Sequence, residues 1–138
     1  MKINISLRTN LHSRLMSYRH KWIGNDIIFS FNGEITFNEI DRANSEIYRD
    51  SRFDSMNYAI FDFTSVKHFD VTEGEVEVIS ALDQSISRWN KSLRLALVGN
   101  DDDNVEEMIV RYIKLMENSV WDIEHFDHPE PAIEWCLN

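Results

Sequence analysis

The sequence predicts an α/β protein: a mixed β-sheet with an N-terminal antiparallel hairpin and central parallel strands, covered by about four helices. Two observations carry the class. Short apolar runs of strand character alternate with segments whose apolar residues recur every three or four positions. The first two runs are separated only by Gly24 and Asn25, a compact turn, whereas the later strands are separated by helices and so need crossovers. With 138 residues, 43% of them hydrophobic, the chain has material for one good core and too little for two ordinary domains.

Ile3, Ile5 and Leu7 alternate as in a half-buried strand, but "RTNLHSRL" loses the period. Residues 1–15 therefore read as an N-terminal extension of undecided order, and 16–138 as the domain. "YRHKWI" and "DIIFSFNG" form the hairpin, with Gly33 expected to end its second strand. In "ITFNEIDRANSEIYRD" Phe37, Ile40, Ala43 and Ile47 fall at helical spacing, and "NYAIFDFT" is a nearly continuous apolar strand. "VEVISALDQSISRW" is a second helix with Ile79, Leu82, Ile86 and Trp89 as its core face, followed by the strand "LRLALVG". Val105, Met108, Ile109, Tyr112, Ile113 and Met116 make one stripe of a third helix. "VWDIEHF" alternates as an edge strand with one wet face, and "PAIEWCL" makes a short last helix.

Each helix start carries a cap residue three positions before a carboxylate: Thr36 and Glu39, Thr72 and Glu75, Asn104 and Glu107, Asp127 and Glu130. That spacing lets both side chains satisfy free amides of the first turn. Tyr58–Phe63 and Leu93–Val98 should be parallel neighbours. Ile60 or Phe61, Leu95 or Leu97, Ile79, Leu82, Ile109 and Ile113 should be buried together.

Fourteen Lys and Arg against 24 Asp and Glu give a net charge of −10, which argues against nucleic acid or an acidic membrane surface as partner. The basic residues Arg8, Arg14, Arg19 and Lys21 make no continuous helical face and read as solvated. Cys136, the single cysteine, lies between Trp135 and Leu137 and reads as a packing residue in a reducing, cytoplasmic setting. "MKINISLRTN" is too interrupted by polar residues for a signal peptide, and no window reaches the length of a membrane span.

Chemistry-bearing motifs are sparse. The four glycines are dispersed and make no phosphate loop, and no serine sits in a nucleophile elbow. No cofactor is expected. His68 and Asp70 leave one strand, and Asp101, Asp102 and Asp103 leave the next, which makes a divalent-metal phosphohydrolase using these loops, with Asp62, the alternative function. An acidic run before a helix is also what the helix N-terminus favours. His125 and His128 match no zinc spacing, and the start of the last helix accounts for Asp127 without a metal. Asp62, inside an apolar strand, calls for a structural hydrogen bond.

The order of elements, with "RDSRFDSMNYAIFDFTSV", "LRLALVGND" and "HFDHPEPAIEWCL", resembles the SpoIIAA-like proteins, the group joining the STAS domains of anti-sigma-factor antagonists with Sec14-like small domains. The likeness runs over residues 16–138. In that family an Asp-Ser-Ser-Gly motif starts the second helix, and its first Ser is a phosphorylation switch for a kinase partner. Here Asp70 matches the Asp, Val71 falls on the switch Ser, Thr72 on the second Ser, and Glu73 precedes Gly74. Val71 has no hydroxyl, so the switch is not carried over, and Thr72 reads as a helix cap.

The resemblance implies a noncatalytic regulatory or interaction domain that binds a protein partner or a small apolar ligand at the carboxyl end of the sheet. The residues expected there are His68, Asp70, Thr72, Asn100 and Asp101, on loops that should converge where α/β sheets bind. A third reading is a homodimer built on the edge strand Val120 to Phe126 or on the hairpin.

Overall fold

The computed structural model describes residues 17–138; the N-terminal extension, 1–15, lies outside them. Strands β1 (Tyr18–Ile23) and β2 (Asp26–Thr36) form the hairpin, with Ile23 opposite Asp26. Gly24 has φ +62° and Asn25 does not share it, the pattern of a type II′ turn, whose twist suits a two-residue hairpin. Helix α1 (Phe37–Arg49), a short 3₁₀ turn (Ser51–Ser55) and β3 (Tyr58–Asp70) follow. Then come α2 (Glu73–Ile86), a 3₁₀ turn (Ser87–Trp89), β4 (Arg94–Val98), α3 (Asp103–Leu115), β5 (Asp122–Phe126) and α4 (Pro129–Leu137).

The sheet runs β1-β2-β3-β4-β5, with β1 antiparallel and the rest parallel. Tyr58 through Asp62 pair with Arg94 through Val98, the expected central pair. Alternation along the strands divides the core. Phe29, Phe31, Phe61, Phe63, Leu95 and Leu97 face α1, α2 and α3, while Tyr58, Ile60, Ala96 and Val98 face Ala132 and Cys136 of α4. Burial pushes the Cys136 thiol pKa up to about 11, so it stays a neutral packing group at ordinary pH. Among the described residues, no helix is long and apolar enough to cross a membrane.

Several expectations are corrected. Gly33 does not end β2: at φ +67° it sits within a strand that continues to Thr36, where the pairing register with β3 shifts between Gly33 and Glu34. A glycine there provides the left-handed backbone of a bulge rather than a stop. The cap of α3 is Asp102, whose Oδ1 accepts from the amides of Asn104 (2.8 Å) and Val105 (3.3 Å), so Asn104 lies inside the helix. His128, not Asp127, precedes α4, because Pro129 fits the first helical position, where no amide hydrogen is needed. Phe61, Leu95, Leu97, Ile79 and Ile109 pack together as expected, with Ile113 at the margin. Leu82 and Trp89 instead stand 49% and 67% exposed. The inner face of α2 is taken by Val76, Ile79, Ser80 and Asp83, which leaves Leu82 on the flank, and Trp89 lies beyond the helix in the 3₁₀ turn.

Candidate functional site

β3 overruns β4 by eight residues, from Asp62 at the last β4 pairing to Asp70, on the order of 25 Å of chain at strand rise. Over this stretch it stays paired with β2, through Glu34 with His68 and Thr36 with Asp70. Phe69 turns inward, with its ring 5.7 Å from that of Phe63, edge to face, while His68 and Asp70 on either side of it are exposed. The start of the overrun meets the β4 exit, where Asn100 donates to the carbonyls of Phe63 and Val66; His68 and Asp70 lie beyond that contact, beside Glu34 and Thr36 of β2.

Thr72 caps α2. Its hydroxyl accepts from the Glu75 amide at 3.1 Å, and Glu75 Oε1 accepts from the Thr72 amide at 2.9 Å. Val71, at the position of the family switch, is buried. Asp62 Oδ1 accepts from the Thr64 amide at 2.9 Å, a local hydrogen bond of the kind its place in a strand called for.

Asn100 is a tether. Its Nδ2 donates to the carbonyls of Phe63 (3.1 Å) and Val66 (2.9 Å), and its Oδ1 accepts from the Asp102 amide at 2.8 Å. The other end of β4 repeats the device. Asn90 Nδ2 donates to Phe53 and Met56, both at 2.8 Å, and its Oδ1 accepts from the Ser92 amide at 3.1 Å. Two carboxamides thus pin both ends of β4 to the chain that runs into and along β3. Asp101, next to Asn100, is exposed. It lines a cleft of about 410 Å³ with Asn100, Glu106, Asp127 and His128. Neither His68 nor Asp70 reaches that cleft. Among the described residues, the only group of three or more ligand-type side chains with donor atoms close enough for one metal ion is Glu106, His125 and Asp127. Asp70 and Asp101 to Asp103 make no such group.

A second feature lies between the helix-side face of the sheet and α1, α2 and α3. There the side chains leave a cavity of about 70 Å³, enough for more than one water and well below the volume of an ordinary drug-sized site. Its wall is aromatic and aliphatic, with Phe61, Phe63, Phe69, Ile40, Ile79 and Leu95 among its lining. Phe69, from the overrun, and Val71, just after it, are also part of that lining. Met108 on α3 lines it while half-buried, a flexible side chain between the interior and solvent.

The polar members of this wall are Asn44, Tyr48, Asp83 and Tyr112. Tyr112 donates to Asp83 Oδ2 at 2.7 Å, and Tyr48 donates to Asp83 Oδ1. Burial pushes the Asp83 carboxyl pKa up to about 6 although both tyrosine hydrogen bonds favour the anion, and burial beside this carboxyl drives both hydroxyls well above their usual range. Sequence reasoning missed this cluster. Asp83 and Tyr112 are buried on the inward faces of their helices, and a carboxyl four residues after Ile79, at a core position, is the signal that would have found it.

No protein-family model matches the chain, and no curated protein matches it. Among solved structures it is similar to an uncharacterized protein of the DUF3478 family from Shewanella loihica PV-4, described as having a SpoIIAA-like fold. The likeness has a TM-score of 0.53 at 15% identity and covers 86% of this chain and 91% of that one. The fold is therefore SpoIIAA-like, as the sequence resemblance implied.

Proposed function

We propose that this SpoIIAA-like fold serves as a noncatalytic regulatory domain that receives a small, mostly apolar molecule between the sheet and helices α1 to α3. The observation that carries the reading is the cavity of about 70 Å³ with apolar walls and one buried carboxyl. Leaving such a void costs about 2 kcal/mol at the usual penalty per unit volume, which a bound ring or short chain would recover. The volume is about half that of an engineered void that admits benzene, so the ligand is small and Met108 gives way as it enters. Asp83 offers an acceptor to a hydroxyl or amine on the ligand. Occupancy would be sensed at the surface through Phe69 and Val71, which join the cavity to the exposed His68, Asp70 and Thr72.

The test is a thermal-shift series with phenol, p-cresol and indole at millimolar concentration, with glucose as a polar control. A ligand that binds only the native state raises the melting temperature by mass action. A rise with the phenols and none with glucose is expected; no rise with any of them would remove the reading.

A second reading, a protein partner, is favoured by one observation. Val78, Leu82 and Trp89 follow one another at spacings of four and seven along α2 and its 3₁₀ extension, and they are 48%, 49% and 67% exposed. An exposed Trp is the residue type most enriched among interface anchors. The two readings are compatible if the partner senses the ligand-bound form.

A further inference from the structure

We infer that Glu106, His125 and Asp127 form a binding site for one divalent transition-metal ion, of the zinc and cobalt class, at the carboxyl end of β4 and β5. The chain brings them together from two elements. Glu106 stands in the first turn of α3, His125 is the last residue but one of β5, and Asp127 directly follows the strand. One donor atom of each lies within 4.8 Å of the others. His125 Nε2 is 3.1 Å from Glu106 Oε2 and 3.8 Å from Asp127 Oδ1. Two ligands on one zinc ion, with bonds of about 2.0–2.2 Å, stand about 3–3.5 Å apart, so the first spacing already fits and the second needs a small adjustment.

Two further observations separate this group from a simple ion pair. His125 Nε2 is buried and makes no hydrogen bond among the described residues, because Glu106 Oε2, though near, lies off the ring N–H direction and Asp127 is too far. A protonated imidazole held by carboxylates would aim its hydrogen at one of them. The second observation is Gly99. A Cβ built there would stand 2.6 Å from Glu106 Oε1 and 3.1 Å from His125 Nε2. Its φ lies outside the left-handed range, so the backbone does not call for glycine; the missing side chain leaves room for Glu106 and His125, and for Ile109, whose Cδ1 would stand 3.3 Å from the added Cβ.

One imidazole and two carboxylates suit a borderline cation, and their two negative charges match its charge. Three protein ligands leave further positions for water or a bound group, on the side of the cleft that Asp101 and His128 also line. The histidine spacing could not reveal the site, because the ligand that completes it comes from a helix nearly twenty residues earlier.

The experiment uses the full chain, stripped with chelator and titrated with zinc by calorimetry, with cobalt absorption as a second readout. One ion per chain is expected at micromolar affinity. Glu106→Gln and His125→Gln should each weaken it at least tenfold, Asp127→Asn and Gly99→Ala severalfold, and His68→Ala not at all. Nitrogen NMR of the imidazoles keeps the test valid should a variant fold poorly: zinc should shift His125 Nε2 in the wild-type chain. Absence of binding at millimolar zinc, binding that survives both Glu106→Gln and His125→Gln, or an unmoved His125 resonance would reduce the group to an ion pair and overturn the inference.

Discussion

Tyr112 donates to Asp83 Oδ2 at 2.7 Å from the far side of a helix pair, while Tyr48 takes the other oxygen of the same carboxyl. Removing one hydroxyl leaves a buried acceptor without its partner. Tyr112→Phe should therefore lower stability by about 1–3 kcal/mol, measured by urea unfolding.

The same carboxyl gives a pH signature. Its pKa in the folded protein is about 6, against about 3.9 in an unfolded chain. Between these values the native state holds more protons than the unfolded one, so this contribution is full below about pH 4 and is lost as pH rises through about 6. Glu39 acts in the opposite sense: burial pushes its pKa up, but the hydrogen bonds it accepts from Thr36 outweigh this and leave it below its ordinary value. The difference between wild type and Asp83→Asn isolates the Asp83 part. That difference should shrink from pH 4 to pH 7, and a constant difference would count against the buried, proton-holding carboxyl.

Asn100 and Asp101 are neighbours with different fates. Asn100→Ala frees the carbonyls of Phe63 and Val66 and the Asp102 amide, and should cost about 2–3 kcal/mol. Asp101→Ala, at an exposed loop position, should stay within about 0.5 kcal/mol of wild type. Equal effects in chemical denaturation would contradict the tether.

Thr72→Ala should cost about 1 kcal/mol, the usual penalty for losing an N-cap. With Val71 buried and without a hydroxyl, incubation with kinases and ATP should leave Lys67 to Glu77 unmodified by mass spectrometry. Stoichiometric phosphate on Thr72 would show that the cap hydroxyl is released and used as a switch.

Much of this architecture was legible in the chain because local signals agreed. The two-residue turn at Gly24 and Asn25, the capped helix starts at Thr36 and Thr72, and the apolar runs of β3 and β4 each point to one conformation, and the crossovers then impose parallel pairing. What the pattern could not supply is length and position across the sheet. "NYAIFDFT" marks where β3 begins, but its continuation through His68 and Asp70 depends on a bulged pairing with β2 around Gly33, a tertiary contact with no local period. The cleft that Asp101 lines with Asn100 accordingly takes its other residues from α3 and the chain just after β5, and not from His68. Leu82 and Trp89 show the other limit: helical spacing says which residues share a face, and only the packed neighbours say how much of that face is covered.

The central claim, that an apolar ligand enters between the sheet and α1 to α3, is tested most directly by isoleucine methyl NMR. The sheet carries its own control, since Ile40, Ile47, Ile79 and Ile109 line the cavity while Ile60 packs against α4 on the other face. Titration with p-cresol should shift the first four methyls saturably and leave Ile60 still. Shifts that do not saturate, or that move Ile60 as much as the cavity methyls, would contradict the account.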